Sequence, residues 1–111
     1  MESKSTSAPQ HLYKALTTQE WNEFKTSGAF QGSELDKKDG FIHTSTASQL
    51  MFTLNKFFPV SSGIKAVIVK IDTSKLKPEV IKYEPSKPGK VGGELYYHIY
   101  DSLTLDHVAV N

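Results

Sequence analysis

The sequence predicts an α+β domain with mainly antiparallel strand pairing. Three observations carry that prediction. A strong helix-start signal, Thr17-Thr18-Gln19-Glu20, directly follows a short alternating segment. Two later runs, Lys65–Asp72 (KAVIVKID) and Leu95–Tyr100 (LYYHIY), are rich in the β-branched and aromatic residues that suit a pleated surface. The predicted order, β-α-β-α-β-β-β-β, ends in four successive strands, the pattern of an α+β fold with antiparallel pairing.

Residues 1–10 lack a large apolar side chain after Met1 and are expected to form a disordered tail, leaving 11–111 as a single domain. His11–Leu16 alternates as a strand, with Leu12, Lys14 and Leu16 on one face. Thr17 and Glu20 then form a capping box, and Leu16 and Trp21 occupy the positions of a hydrophobic staple. Trp21 and Phe24 share the buried face, and Gly28 supplies the stop, which predicts a helix over 18–27. Phe30–Lys38 is expected to be irregular and polar, Asp39-Gly40 a turn, and Phe41–Thr44 a short strand. Thr46 and Gln49 resemble a weaker capping box opening a second helix, whose apolar stripe is Leu50, Leu54, Phe57 and Phe58 and which Pro59 ends. Ser61–Gly63 is a loop. After the Lys65–Asp72 strand, Thr73–Pro78 is a turn, Glu79–Glu84 a strand, and Pro85–Gly93 a loop rich in glycine and proline of the kind that often covers sites. Leu95–Tyr100 is an aromatic strand, and Leu103–Val110 a final strand broken near Asp106.

The chain has 111 residues, 12 acidic and 13 basic side chains, and a net charge of +1. Every basic residue is lysine, and there is no cysteine. The absence of cysteine excludes a disulfide scaffold, a thiolate zinc site and a cysteine nucleophile. The absence of arginine excludes recognition by a planar guanidinium fork. Near-neutral charge argues against a nucleic-acid partner. No apolar run approaches the ~20 residues needed to span a bilayer, so no membrane partner is expected. The segment before His11 also lacks the pattern of a secretory signal, which makes a cytoplasmic location the expectation.

Three constellations suit chemistry. In Asp39–Thr46 (DGFIHTST), a strand delivers His43 to the edge of a helix N-terminus beside the hydroxyls of Thr44, Ser45 and Thr46, an arrangement suited to an anion or a ribose. The same residues also suit a structural role, with Thr46 as a cap and His43 satisfied by the backbone. In the aromatic strand, Glu94, Tyr96, His98 and Tyr100 share one face that can stack a flat ring and bond to its edge. A half-exposed strand edge fits them equally well. Glu84 closes a strand just before the glycine-proline loop, where a carboxylate can hold a ribose hydroxyl or act as a base, or simply be solvated. The four histidines lack metal-ligand spacing, and no metal is assigned. No phosphate loop of Rossmann or Walker type is present.

These blocks together resemble the domain of unknown function 952 family. The resemblance rests on LYKAL before the tryptophan, Asp39–His43 with Ser45-Thr46, Tyr83-Glu84-Pro85, and Tyr97–Tyr100 followed by Leu103–Asp106. It covers about residues 12–110. The family pattern near the end is closer to F-P-H-x-Y-G, whereas this chain has Tyr97 at the proline and Asp101 at the glycine. The resemblance implies an ADP-ribosyltransferase-like fold, with a split antiparallel sheet, two short helices and a nucleotide cleft. It implies His43, His98 and Glu84 as catalytic candidates. It also implies Lys14, Thr44, Ser45, Thr46, Glu94, Tyr96 and Tyr100 as ligand-binding candidates. NAD is then the implied substrate, or an ADP-ribose-like nucleotide the ligand, and no resident cofactor is certain. Within such a fold the lack of arginine removes the arginine-dependent transferases and RNA 2′-phosphotransferases. A histidine-centred site remains, or a non-catalytic small-molecule or protein-interaction module. No feature of the sequence fixes an oligomeric state.

Overall fold

The helix signal after the first strand is realised in a computed structural model, which describes residues 8–86 and 94–109. Strand β1 (His11–Thr17) runs into helix α1 (Thr18–Ser27). Thr17 Oγ1 accepts from the Glu20 amide at 3.0 Å, and Glu20 Oε1 accepts from the Thr17 amide at 2.8 Å. Gly28, in the left-handed region at φ 83°, closes the helix by donating to the Phe24 carbonyl. Trp21 meets Phe24 edge-on at 5.7 Å, and Phe24 leans on Phe30.

β1 pairs antiparallel with β4 (Ala66–Asp72), from His11 opposite Asp72 to Thr17 opposite Ala66. This register sets Leu12 against Ile71 and Lys14 against Val69. A second sheet has the order β3-β6-β5, with β3 at Ile42–His43, β6 at Leu95–Ile99 and β5 at Ile81–Pro85. A third, β2 (Ala29–Phe30) with β7 (Leu103–Thr104), is a two-residue pairing. All these pairings are antiparallel. The sheets are stitched together by reciprocal backbone bonds between Tyr13 and Ser45 at 2.8 and 2.9 Å, and by a bridge between Ile71 and Val108. The core lies between them, built from Leu12, Leu16, Phe24, Phe30, Ile42, Val69, Ile71, Leu76, Ile99 and Leu103.

The α+β class and antiparallel pairing stand, with corrections to the elements. The segment 30–38 expected to be irregular contains most of α2 (Glu34–Asp39), giving three α-helices among the described residues instead of the expected two. The cause is local: Ser33 Oγ accepts from the Asp36 amide at 3.2 Å, Asp36 Oδ2 accepts from the Ser33 amide at 2.9 Å, and Gly40 ends the turn at φ 90°. The second expected helix forms as α3 (Leu50–Phe57), but the capping box at its start is only half made. Gln49 Oε1 accepts from the Thr46 amide at 3.0 Å, whereas the Thr46 hydroxyl turns to Ser48. Gln49 instead spends its amide on Glu94 and the Leu95 carbonyl. Pro78–Val80 forms a 3-10 turn, so β5 begins at Ile81 rather than Glu79. The last expected strand shrinks to β7 and a 3-10 turn at Leu105–His107, where His107 Nδ1 accepts from the Thr104 amide. Of the expected tail, Pro9 and Gln10 are anchored through their carbonyls to Thr73. The rest of that expectation, residues 1–7, and the loop expectation over 87–93 lie outside the described residues.

Candidate functional site

The site begins with a lysine on a core-facing stripe. Lys14 shares its strand face with the buried Leu12 and Leu16, and its side chain is only 10% exposed. A sheltered ammonium needs a compensating charge, and α2 supplies one in Asp36, which is 1% exposed. Lys14 Nζ donates to Asp36 Oδ1 at 3.0 Å and lies within ion-pair distance of Oδ2 at 2.9 Å. The carboxylate also accepts from the Ser33 amide, the His43 amide at 3.1 Å and His43 Nδ1 at 2.6 Å. Burial pushes the Asp36 carboxyl up, but its bonds to His43 and Lys14 outweigh that and hold it down at about 2. Gly32 leaves the room this requires, since a Cβ there would lie 2.7 Å from the Asp36 Cβ.

His43 is therefore gripped from behind by Asp36. On its other side, Nε2 lies 2.9 Å from Asp39 Oδ2. That distance is within ion-pair range, but the pair does not meet hydrogen-bond geometry, which leaves the buried Asp39 Oδ2 without a hydrogen-bond partner among the described residues. His43 borders a cleft of about 520 Å³. Its polar floor includes Lys14, Asp36, Asp39, His43, Thr44 and Ser45. The rest of its lining is largely apolar, with Phe52, Phe57, Phe58, Ile64 and Tyr96, and also includes Lys56 and Glu94. The hydroxyls on the floor are already engaged. Thr44 Oγ1 donates to the Tyr97 carbonyl at 2.6 Å, and Ser45 Oγ pairs with Thr53 Oγ1 at 2.7 Å.

The β3–β6 register sets His43 opposite His98, with ring centroids 5.2 Å apart. His98 does not line the cleft. It is fully buried, with Phe41 stacked on it at 3.9 Å. Its Nδ1 lies 2.9 Å from Glu84 Oε2, and because an ionised carboxylate only accepts, Nδ1 is the donor. His98 Nε2 is buried with no partner among the described residues. Burial pushes the His98 pKa down, and the bond to Glu84 opposes this without reversing it. Glu84 also accepts from the Tyr100 hydroxyl. Burial raises the Glu84 pKa, yet its bonds to Tyr100 and His98 bring it below the ordinary value. Tyr100 is pushed up to about 12 by desolvation and then by the neighbouring carboxylate.

The structure thus gathers Lys14, His43, Thr44, Ser45, Glu94 and Tyr96 around one cleft. It sets His98, Glu84 and Tyr100 together in an adjoining network, and Thr46 outside both. The residue overlooked in the sequence is Asp36, whereas Asp39 and Phe41 lay within the Asp39–Thr46 block without a role assigned to them. Asp36 carried two signals: Ser33-Glu34-Leu35-Asp36 has the spacing of a capping box, and a lysine between two core leucines calls for a carboxylate.

The profile of the family described as "Protein of unknown function (DUF952)" matches residues 10–110. No curated protein matches the chain. Among solved structures, the chain is similar to protein CC0527 from Caulobacter crescentus. The solution NMR structure of that protein is 32% identical, with a TM-score of 0.75, covering 92% of this chain and 82% of that one. Its crystal structure is 30% identical, with a TM-score of 0.72, covering 90% and 82%.

Proposed function

The chain belongs to the DUF952 family of proteins of unknown function, and on that premise we propose that its cleft binds a small nucleotide-like ligand, NAD or an ADP-ribose-like compound. The observation that carries this is the meeting of two kinds of side chain in the lining of one cavity: the polar group Lys14, Asp36 and His43, and the aromatic group Phe52, Phe57, Phe58 and Tyr96. Pockets for flat polar ligands combine an aromatic wall with a few convergent polar groups in this way. The split, wholly antiparallel arrangement of the described strands supports an ADP-ribosyltransferase-like fold as part of the same proposal. The charges suggest an orientation. Of the two lysines that line the cleft among the described residues, Lys14 is committed to Asp36 and Lys56 is left to meet phosphate, while Asp39 and Glu94 favour the cationic nicotinamide end.

Binding is favoured over catalysis by the hydroxyls beside His43. Thr44 and Ser45 are bonded internally, so among the described residues neither neighbouring hydroxyl is free to serve the ring as a nucleophile. Thermal denaturation with NAD, ADP-ribose and nicotinamide tests the proposal. A ligand at 100 times its Kd stabilises by ~2.7 kcal/mol, and His43→Ala is expected to abolish the shift. No shift with any of the three ligands sinks the proposal. Release of nicotinamide from NAD would overturn the preference for binding alone.

A further inference from the structure

The order β3-β6-β5 leaves β5 with a single neighbour among the described residues, and so with an open edge. The β5–β6 register sets Val80 opposite Tyr100, and the Tyr100 amide donates to the Val80 carbonyl at 2.8 Å. Backbone groups alternate along an antiparallel ladder, so Lys82 and Glu84 also turn theirs toward β6. The amides and carbonyls of Ile81 and Tyr83, with the Pro85 carbonyl, therefore point outward from the sheet. Side chains alternate as well. Lys82 and Glu84 stand on one face. Tyr83 stands on the other, 54% exposed and stacked on Tyr97 at 4.3 Å. An edge of this kind is a template for another strand. No residue of β5 lines the cleft, so this edge is separate from the proposed ligand site.

We propose that β5 pairs with β5 of a second copy of this chain, antiparallel and centred on Tyr83, about a two-fold axis. The choice of occupant follows from the order of charges along the strand, which is complementary to itself. Pairing centred on Tyr83 sets Lys82 of each copy directly opposite Glu84 of the other, on the same face of the joined sheet. The next register to either side sets Lys82 against Lys82 or Glu84 against Glu84, and like charges directly opposite are destabilising. The charges thus select one register, where an edge without them would slip. Glu84 has an oxygen to offer: His98 and Tyr100 both bond to Oε2, which leaves Oε1 without a partner among the described residues. Across the axis each Tyr83 amide donates to the other Tyr83 carbonyl, and each Ile81 amide donates to the opposite Pro85 carbonyl. Pro85 has no amide to return, so the ladder stops there. On the other face the two Tyr83 rings lie opposite each other and carry the Tyr97–Tyr83 stack across the axis. Lysine and proline commonly blunt a sheet edge against any comer, and in this register both are accommodated. A foreign peptide would use the same backbone groups but has no reason to match the charge order. The contact is confined to a strand of five residues, so it is weak and reversible.

Sedimentation velocity of the whole protein across a concentration series tests this. A monomer–dimer equilibrium is expected, weakening as salt rises. Lys82→Glu replaces both attractive pairs of the dimer by repulsive ones and should weaken association about tenfold. Lys82 is exposed, so the thermal midpoint should hold and a loss of dimer cannot be blamed on unfolding. A second measurement reads the register. The chain has no cysteine, so Tyr83→Cys introduces a single thiol. Bonded antiparallel partners lie about 5.5 Å apart at Cα, within reach of a disulfide. Under mild oxidation Tyr83→Cys should cross-link into dimers several-fold faster than Glu79→Cys, an exposed position outside the paired strand. A monomer at every concentration overturns the proposal. So does a dimer indifferent to Lys82→Glu, or cross-linking of Tyr83→Cys no faster than that of Glu79→Cys.

Discussion

Two histidines lie side by side in the same sheet, and each meets a carboxylate through Nδ1, yet the two pairs are inverted. At the cleft the ring is partly open, with its side chain 21% exposed, and the carboxylate of Asp36 is buried. One strand over, the ring of His98 is buried and the carboxylate of Glu84 is 29% exposed. The difference teaches which partner holds the structure together. Asp36 sits where water cannot replace a lost bond, so its network is structural as well as functional. Glu84 can be rehydrated, so its bonds fix a ring orientation and a tyrosine without bearing much of the stability.

The largest expected effect is on the buried carboxylate. Asp36→Ala strands the Lys14 ammonium and frees His43, and should cost about 3–5 kcal/mol in urea denaturation. A loss near that of an exposed pair would erase the distinction between the two networks.

Acid should separate the two pairs next. The Asp36 carboxyl is held at about 2 against an ordinary 3.8, so the folded state binds fewer protons there. Its stabilisation, roughly 2 kcal/mol, is complete above about pH 4 and is lost as pH falls through 2. The His98 pKa is lowered, so the fold favours the neutral ring. That stabilisation is present above the ordinary histidine value of 6.5 and is lost as pH falls below it. Stability measured against pH should therefore decline in two stages, and His98→Gln should remove the upper stage alone. An upper stage that persists in His98→Gln would assign it to another group.

The smallest effect is expected at the open carboxylate. Glu84→Gln should change stability by less than about 1 kcal/mol. It should nevertheless bring the Tyr100 phenol down from about 12 toward its ordinary range, as read by absorbance during alkaline titration. A Tyr100 that stays high would make burial, and not Glu84, the cause.

The inversion was partly legible in the sequence. Alternation along Leu95–Tyr100 placed His98 and Tyr100 on one face, and the Asp39–Thr46 block picked out His43. The strand register that sets the two rings opposite each other is a long-range pairing, which spacing along the chain does not encode. Asp36 was hidden for a different reason. Helix α2 has a single large apolar residue, Leu35, so hydrophobic periodicity gave no sign of it. The helix exists because Ser33 and Asp36 cap one another and because Lys14, far away in the chain, needs a partner. The two-residue strand β2 was equally invisible, being defined by its contact with β7, the short remnant of the strand expected over Leu103–Val110. By contrast, α1 was predicted to its last residue, since its start, its stop and its staple are all local.

The edge-on packing of Trp21 against Phe24 has a practical consequence. Trp21 is the chain's single tryptophan; it lies on α1, packed against the core, and is not itself part of the cleft lining or of the Glu84 network. Its fluorescence is therefore a built-in gauge of the packing of α1 on the core, and so of global unfolding. Tyrosine absorbance, to which Tyr100 contributes with four other tyrosines, adds a second optical channel in the same unlabelled protein.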